Sequence, residues 1–108
     1  DAFALLSLSE GFGLAYVEAM AAGLPCVAHG NPDTRYIFGD HAYLGDTTSL
    51  PSTVELLRLA LKEEPSDQRR RGRHAWAREH FSWDVLAPRY REMLLACAVG
   101  VRPAWGER

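Results

Sequence analysis

The sequence contains few of the features that mark several common classes of protein. Its two cysteines, Cys26 and Cys97, lie far apart and fit no metal-binding spacing, so neither a zinc motif nor a disulfide framework is expected. We expect reduced, structural thiols and a cytoplasmic location. No apolar run approaches the roughly 20 residues of a membrane-spanning helix, and nothing resembles a signal peptide.

Positive charge is scarce in the first third of the chain, where no Lys or Arg precedes Arg35. The 108 residues have a formal net charge of -2, which argues against a general nucleic-acid binder. The apolar fraction of 47% is that of an ordinary globular chain. The length allows one domain or part of one. The chain begins at Asp1, directly before a strand pattern, so we expect it to be a piece of a longer protein.

The first 28 residues have the pattern of a β-α-β unit. Residues 3–8 are apolar and bounded by polar residues, as in a buried parallel strand. A helix is predicted over residues 13–22, because Gly23 and Pro25 then end it. Residues 26–28 are predicted to form the next strand. The fold class is therefore α/β, with part of a Rossmann-like parallel sheet and flanking helices.

The remaining residues predict a third strand and a helical C-terminal end. A short helix is expected over residues 34–38 and a strand over residues 42–44. Ser52 and Glu55 have the spacing of a capping box for the next helix, and another helix is expected from residue 66 to His80. We assign residues 1–81 to the C-terminal part of a Rossmann-like domain and residues 82–108 to its last helix and tail.

The last helix is expected to begin at Ser82, and an irregular tail is expected from Gly100. Apolar residues recur along that helix at helical spacing, at Trp83, Leu86, Tyr90, Leu94 and Cys97. The aromatic residues near its start are expected to be core residues, namely Trp76, Phe81 and Trp83.

Two glutamates, Glu10 and Glu18, flank a glycine-bearing turn and the helix that follows it. The helix is apolar on every side except at Glu18, which predicts a buried helix whose carboxylate needs a partner. The turn lies where a parallel strand ends, which is where ligands bind in open α/β sheets. Free amides at the helix start suit a phosphate. Glu18 lies about 7.5 Å along the helix, roughly the span from a diphosphate to a ribose.

Residues 9–28 resemble the nucleotide-sugar signature of retaining GT-B glycosyltransferases, especially family 4. The hallmark is two glutamates with seven residues between them, with Gly-Phe-Gly after the first and Glu-Ala-Met-Ala-x-Gly at the second. Every one of these positions is present. The similarity extends through residues 33–36 and residues 81–83 to about Cys97, and covers most of the chain.

The resemblance implies a role for each residue of the signature. Glu10 is the catalytic candidate, because it would contact the hydroxyls of the donor sugar and orient it without acting as the nucleophile. Backbone groups beside that sugar would be those of Gly11, Phe12 and Gly13. Amides facing the diphosphate would be those of Leu14 and Ala15. Glu18 would accept hydrogen bonds from the ribose.

The implied reaction transfers a sugar from a nucleotide-diphosphate sugar to an acceptor hydroxyl, with retention and without a metal or other cofactor. The absence of an Asp-x-Asp motif agrees with that expectation. The family's basic pair and its amino-terminal, acceptor-binding domain would lie upstream, so these 108 residues alone are expected to be inactive. Family members also often carry Gly-Gly-x-x-Glu where residues 30–34 read Gly-Asn-Pro-Asp-Thr.

Several alternatives stay open. The chain could be a non-catalytic nucleotide-binding or regulatory module, or part of a glycogen synthase or phosphorylase-like enzyme. Glu10 could simply favour a helix start, and Glu18 could pair with a distant Arg. His29 could contact the donor or be a surface or capping residue, and Arg35 could bind phosphate or be structural. The basic residues 69–73 predict a solvated face, with peripheral membrane contact as the main alternative.

Overall fold

The structure, a computed structural model, describes residues 1–100. It divides into two compact units, residues 1–77 and a unit that begins at Arg78. The predicted irregular tail falls on residues 101–108, which lie outside the described residues. Eight elements follow one another: β1 (Phe3–Leu5), α1 (Leu14–Ala21), β2 (Cys26–His29), α2 (Pro32–Phe38), β3 (Tyr43–Gly45), α3 (Leu50–Leu61), α4 (Gln68–Phe81) and α5 (Trp83–Ala98).

The three strands form one parallel sheet in the order β1-β2-β3. Val27 on the central strand pairs with Ala4 on one side and Tyr43 on the other. The middle strand is buried along residues 26–28, as expected for a parallel strand covered on its faces. The predicted α/β class, with flanking helices and a helical C-terminal end, is confirmed. β1 is shorter than predicted, because its pairing stops at Leu5.

The core of the first unit lies where α1 and α2 meet the sheet. Tyr16 and Met20 of α1, Val27 of β2 and Phe38 of α2 are almost completely buried. The Tyr16 ring meets Phe38 edge to face with 5.1 Å between the ring centroids, an arrangement worth about 0.5–1.5 kcal/mol beyond area burial. Its hydroxyl donates to the carbonyl of Leu5 at 3.1 Å, so the helix is bonded to the end of β1.

The prediction that α1 is buried on every side is wrong. Tyr16, Ala19 and Met20 are buried, and their spacing places them on one face of the helix. Leu14 is 67% exposed, and Glu18 is exposed as well. An apolar composition shows that a helix can be buried, but which faces are covered depends on distant elements. The carboxylate of Glu18 therefore needs no buried partner.

Helix α3 begins three residues earlier than predicted, and the capping box proposed for Ser52 and Glu55 is wrong. Ser49 is the N-cap, and its side chain accepts a hydrogen bond from the amide of Ser52 at 3.4 Å. Pro51 lies in the first turn, where its missing N–H costs nothing. Glu55 faces Arg58 at 3.9 Å instead, in an exposed pair worth about 0.5 kcal/mol at most.

The prediction that residues 69–73 form a solvated face is wrong at Arg73, which is 2% exposed. Its guanidinium contacts both carboxylate oxygens of Glu63, with Nη1 to Oε2 at 3.2 Å. It also donates from Nε and Nη2 to the carbonyl of Gly23 at 3.2 and 3.1 Å. The hydroxyl of Tyr43 donates to Glu63 at 2.7 Å. We call these four residues the Arg73 network.

The Arg73 network changes the acidity of two of its members. Burial alone would raise the pKa of Glu63, but hydrogen bonds from Arg73 and Tyr43, and the charge of Arg73, outweigh it and hold the pKa below its ordinary value. Burial first, and then the hydrogen bond to Glu63, raise the pKa of Tyr43. Near neutral pH the carboxylate is therefore charged and the phenol keeps its proton.

In the second unit, Ser82 is the N-cap of α5, as predicted, but the apolar stripe of that helix is not buried. Trp83 is 72% exposed and Leu94 is 63% exposed, so the prediction that Trp83 is a core residue is wrong. Its ring lies 5.9 Å from that of Tyr90, measured between centroids. Helical spacing aligns side chains on one stripe, but it does not supply the surface that would cover them.

Replacing Arg73 with Ala should lower the free energy of unfolding by about 3–5 kcal/mol, because it leaves the Glu63 carboxylate buried and unpaired. Urea unfolding followed by circular dichroism measures this loss. Arg71→Ala is the matched control, since Arg71 is exposed. The double variant Arg73→Met, Glu63→Leu should lose less than Arg73→Ala. Equal stability of Arg73→Ala and Arg71→Ala would contradict the role of the network.

Acid should weaken the protein through Glu63. Because the folded-state pKa of Glu63 is lowered, its stabilisation is fully present above the unfolded value, about 4.3, and is lost as the pH falls through the folded value. Unfolding free energy measured between pH 7 and pH 2 should therefore drop more steeply in the wild type than in Glu63→Gln. Parallel curves would contradict this, since Asp46 and Asp67, whose pKa values are also lowered, contribute equally to both proteins.

Candidate functional site

The carboxyl ends of the three parallel strands meet at one edge of the sheet, and the candidate site lies there. Residues 6–13 follow β1 and lead into α1, Gly30 and Asn31 follow β2, and residues 46–49 follow β3. The amide of Gly30 donates to the carbonyl of Gly45 at 2.8 Å. The ends of β2 and β3 are thus held together just beyond the sheet.

Helix α2 starts at Pro32, two residues earlier than predicted, because Asn31 caps it. The side chain of Asn31 accepts a hydrogen bond from the amide of Thr34 at 2.9 Å, and the hydroxyl of Thr34 accepts one from the amide of Asn31 at 3.0 Å. Asn31 is a favoured N-cap residue and Pro32 occupies the favoured first helical position. This Asn-Pro signal was present in the sequence, and could have predicted the boundary.

The loop after β1 is held by side chains from the other two strand ends. Asn31 donates from Nδ2 to the carbonyl of Leu8 at 3.3 Å. The hydroxyl of Thr47 donates to the carbonyl of Leu6 at 3.2 Å, and its oxygen also lies 3.1 Å from Nδ1 of His29. The two carbonyls that accept these bonds belong to residues between the last paired residue of β1, Leu5, and Glu10. Sequence analysis missed both Asn31 and Thr47.

His29 lies at the end of β2 and contacts the loop after β3. Its Nδ1 accepts a hydrogen bond from the backbone amide of Thr47 at 3.2 Å. His29 thus bonds to the loop after β3, and its contact with the donor stays a prediction. The guanidinium of Arg35 lies beside Gly30, just after the end of β2. A Cβ at Gly30 would be only 3.3 Å from its Nη2.

A small cleft opens between the loop after β1, the start of α1 and the start of α2. Both polar and apolar side chains line it. The residues that line it are Ser7, Glu10, Gly11, Phe12, Tyr16, Asn31, Asp33, Thr34 and Ile37.

Glu10 is exposed at this cleft, and no described side chain forms an ion pair or hydrogen bond with its carboxylate. Its charge is felt by Tyr16, whose pKa is raised first by burial and then by Glu10. Tyr16 therefore stays protonated and keeps its bond to Leu5. The carboxylate of Glu10 can accept several hydrogen bonds from a ligand.

The two glycines of the turn differ in what the protein requires of them. Gly13 has φ 82°, in the left-handed region, and a Cβ there would come within 2.5 Å of the Tyr16 ring. The fold therefore needs glycine at this position. A Cβ on Gly11 would meet nothing within 4 Å. Among the described residues, the space above Gly11 is therefore open.

The start of α1 presents unused backbone donors. Gly13 is the N-cap and supplies no side chain to cap the helix. No described residue accepts a hydrogen bond from the amides of Leu14 or Ala15. The positive end of the helix dipole lies at the same point. Together these groups form a surface suited to an anion.

The predicted site residues thus fall into two neighbouring groups. Glu10, Gly11 and Phe12 line the cleft. The others follow on the exposed start and outer face of α1, namely Gly13, Leu14, Ala15 and Glu18. Like Glu10, Glu18 has no ion pair or hydrogen bond to its carboxylate among residues 1–100.

Metal and membrane features are not seen in the described part of the chain. Within residues 1–100, no three His, Cys, Asp or Glu side chains come close enough to hold a metal ion. None of the five helices there has both the length and the apolar character needed to cross a bilayer. Both cysteines are free thiols, with Cys26 buried and Cys97 exposed.

Comparison with known proteins gives one match. The model of the family described as "Glycosyl transferases group 1" matches residues 1–76. The chain belongs to this glycosyltransferase family. No curated protein matches the chain, and neither does any solved structure.

The match covers the whole candidate site of this group 1 glycosyltransferase domain. It begins before β1 and extends into α4, so it includes the sheet, the cleft, and both Glu10 and Glu18. Membership in the family supports glycosyl transfer as the function. The resemblance inferred from residues 9–28 is confirmed at the level of the family.

Alanine substitutions at the two glycines of the turn should have opposite consequences for stability. Gly13→Ala should lower the free energy of unfolding by about 1–3 kcal/mol, because the new residue would be strained at positive φ and would displace Tyr16. Gly11→Ala should change it by less than about 0.5 kcal/mol. Chemical unfolding of both variants measures the difference. A similar loss for both variants would contradict the open space seen above Gly11.

Proposed function

We propose that this domain binds the nucleotide-diphosphate sugar donor of a retaining GT-B glycosyltransferase of family 4. One observation carries the proposal: Glu10 and Glu18, two exposed carboxylates without partners among residues 1–100, flank the amides of Leu14 and Ala15, which are unbonded in the same range, at the start of α1. Acceptors on either side of an anion-binding helix start suit a ligand with hydroxyl groups at both ends and phosphates between them.

The diphosphate would lie against the start of α1. The amides of Leu14 and Ala15 would donate to its oxygens, and the helix dipole would favour its charge. No basic side chain is among the described residues that line the cleft. Full neutralisation of the diphosphate therefore requires cations from outside this cleft, and we propose that side chains of the protein supply them. The basic pair implied by the family resemblance would serve this purpose.

The two ends of the donor would be bound by the two glutamates. Glu18 lies five residues beyond Gly13, about 7.5 Å along the helix axis, and would accept hydrogen bonds from the ribose hydroxyls. Glu10 would accept from the hydroxyls of the sugar, which would pass close to the backbone at Gly11, Phe12 and Gly13. The open space above Gly11 is consistent with such an approach.

The domain would act by positioning the donor and by stabilising the departing diphosphate. In front-face attack, the bond from the acceptor oxygen to the anomeric carbon forms as the bond from that carbon to the diphosphate oxygen breaks. The proton of the acceptor hydroxyl passes to the leaving diphosphate. Glu10 is the catalytic candidate because it contacts and orients the sugar, although it forms no covalent bond to it.

We further propose that residues 1–81 are the C-terminal part of the donor-binding domain and residues 82–108 its last helix and tail. An amino-terminal, acceptor-binding domain would complete the enzyme, so residues 1–108 alone would bind the donor but not transfer its sugar. A cytoplasmic setting is supported by the two free thiols. The resemblance at residues 9–28 and the family match support the assignment of residues 1–81 to the donor-binding domain.

Titration with UDP, GDP and ADP, each with and without an attached sugar, tests the donor site. Glu18→Gln should weaken binding of the bare and the sugar-bearing nucleotide alike, by about 10-fold or more, since a charge-assisted bond to ribose is worth about 1.5–3 kcal/mol. Glu10→Gln should weaken only the sugar-bearing form. Calorimetry gives the affinities, and backbone NMR shifts locate the ligand.

Glu55→Gln, on the surface of α3, is the matched control and should bind like the wild type. Binding of a nucleotide with shifts confined to residues 10–22 would support the site and identify the base. A folded wild-type protein that binds none of the six ligands would contradict the proposal. So would equal losses for Glu18→Gln and Glu55→Gln.

A further inference from the structure

The segment that carries Glu10 extends past the end of the sheet. β1 ends at Leu5, and Glu10 follows five residues later in an exposed loop. Two carbonyls of this segment, at Leu6 and Leu8, accept hydrogen bonds from the side chains of Thr47 and Asn31. Each bond comes from the loop after a different strand. They fix alternate residues of a segment that strand pairing no longer holds.

Both side chains are themselves fixed to the end of β2. Asn31 is held by the capping box with Thr34, and the hydroxyl of Thr34 donates to the carbonyl of His29 at 2.7 Å. Thr34 is only 4% exposed. The backbone of Thr47 donates to Nδ1 of His29. The two hydrogen bonds to the segment thus come from residues that are themselves held by hydrogen bonds at the end of β2.

We infer that Asn31 and Thr47 are positioning residues, which act through the carbonyls of Leu8 and Leu6 to hold Glu10 in place for the donor sugar. The inference rests on the proposed function. Neither side chain needs to touch the donor for this role. A shift of about 1 Å in a group that contacts the substrate can cost a factor of about 100 in rate. The loss of two weak hydrogen bonds can therefore have a large effect on how the donor sugar is bound and oriented.

The structure also explains why ordinary stability measurements would miss this role. The bond from Asn31 to Leu8 and the one from Thr47 to Leu6 are both exposed to solvent, so water can replace either of them. The core around Tyr16 and Val27 does not include these bonds. Their removal therefore changes the order of the loop much more than the stability of the fold.

The test is the double variant Asn31→Ser, Thr47→Val. Serine keeps the N-cap acceptor but is too short to reach Leu8, and valine keeps the shape of threonine without its hydroxyl. The control is Thr48→Val, in the same loop, because among residues 1–100 the hydroxyl of Thr48 bonds to Asp46 and not to the segment after β1. Two quantities are measured: NMR order parameters of the backbone at residues 9–12, and affinities for a nucleotide with and without its sugar.

In the double variant, the order parameters at residues 9–12 should fall towards the values below about 0.6 that mark a flexible backbone. Affinity for the sugar-bearing nucleotide should fall at least about fivefold, while affinity for the bare nucleotide stays as in the wild type. Thr48→Val should change neither quantity. Asn31→Ser alone should give part of both effects, because Thr47 still holds Leu6.

Unchanged order parameters would overturn the inference. An equal loss of affinity for both ligands would also overturn it, because that pattern indicates general damage to the fold. A wild-type protein that binds no nucleotide would contradict the proposed function, and with it any role in holding Glu10 for a sugar. In that case the order parameters would still show whether the two bonds hold the segment, so the two failures are distinguishable.

Discussion

The buried ion pair between Arg73 and Glu63 is the interaction on which the first unit depends. Through this pair, α4 is joined to the end of α3, to the start of β3 at Tyr43, and to the carbonyl of Gly23 just after α1. A buried charge is costly without partners, so the elements joined by this pair must all be in place for either of them to be stable. Because Gly23 directly follows α1, the network fixes the far end of the helix whose near end carries the candidate site.

Local sequence signals were sufficient for the first half of this fold. The apolar residues of β1 and β2 and the glycine and proline after α1 depend on neighbours in the chain, and the β-α-β unit was predicted from them. Arg73 could not be predicted in the same way. It lies in a basic run, and its partners at Glu63 and Gly23 are 10 and 50 residues away. The exposed face of α1 was missed because composition does not show which side of a helix is covered.

In the candidate site, too, some residues could be predicted from local sequence signals and others could not. The loop position of Glu10, the helical position of Glu18 and the special backbone at Gly13 follow from a short contiguous motif, and the family match agrees with it. Asn31 and Thr47 left no such signal, since each bonds to a main-chain carbonyl that any residue could supply. Contacts of this kind depend on strand order and register, which a single sequence does not specify.

The two side-chain bonds to the loop after β1 have a consequence for how such a domain diversifies. The buried core and the loop are held by separate sets of contacts, since Tyr16 and Val27 fix the first, and Asn31 and Thr47 fix the second. On the proposed function, substitution of Thr47, or of Asn31 by another N-cap residue, would shift Glu10 in small steps without a change in the packing beneath it. If the site binds the donor sugar as proposed, a preference for a new sugar would then evolve at little cost in thermal stability.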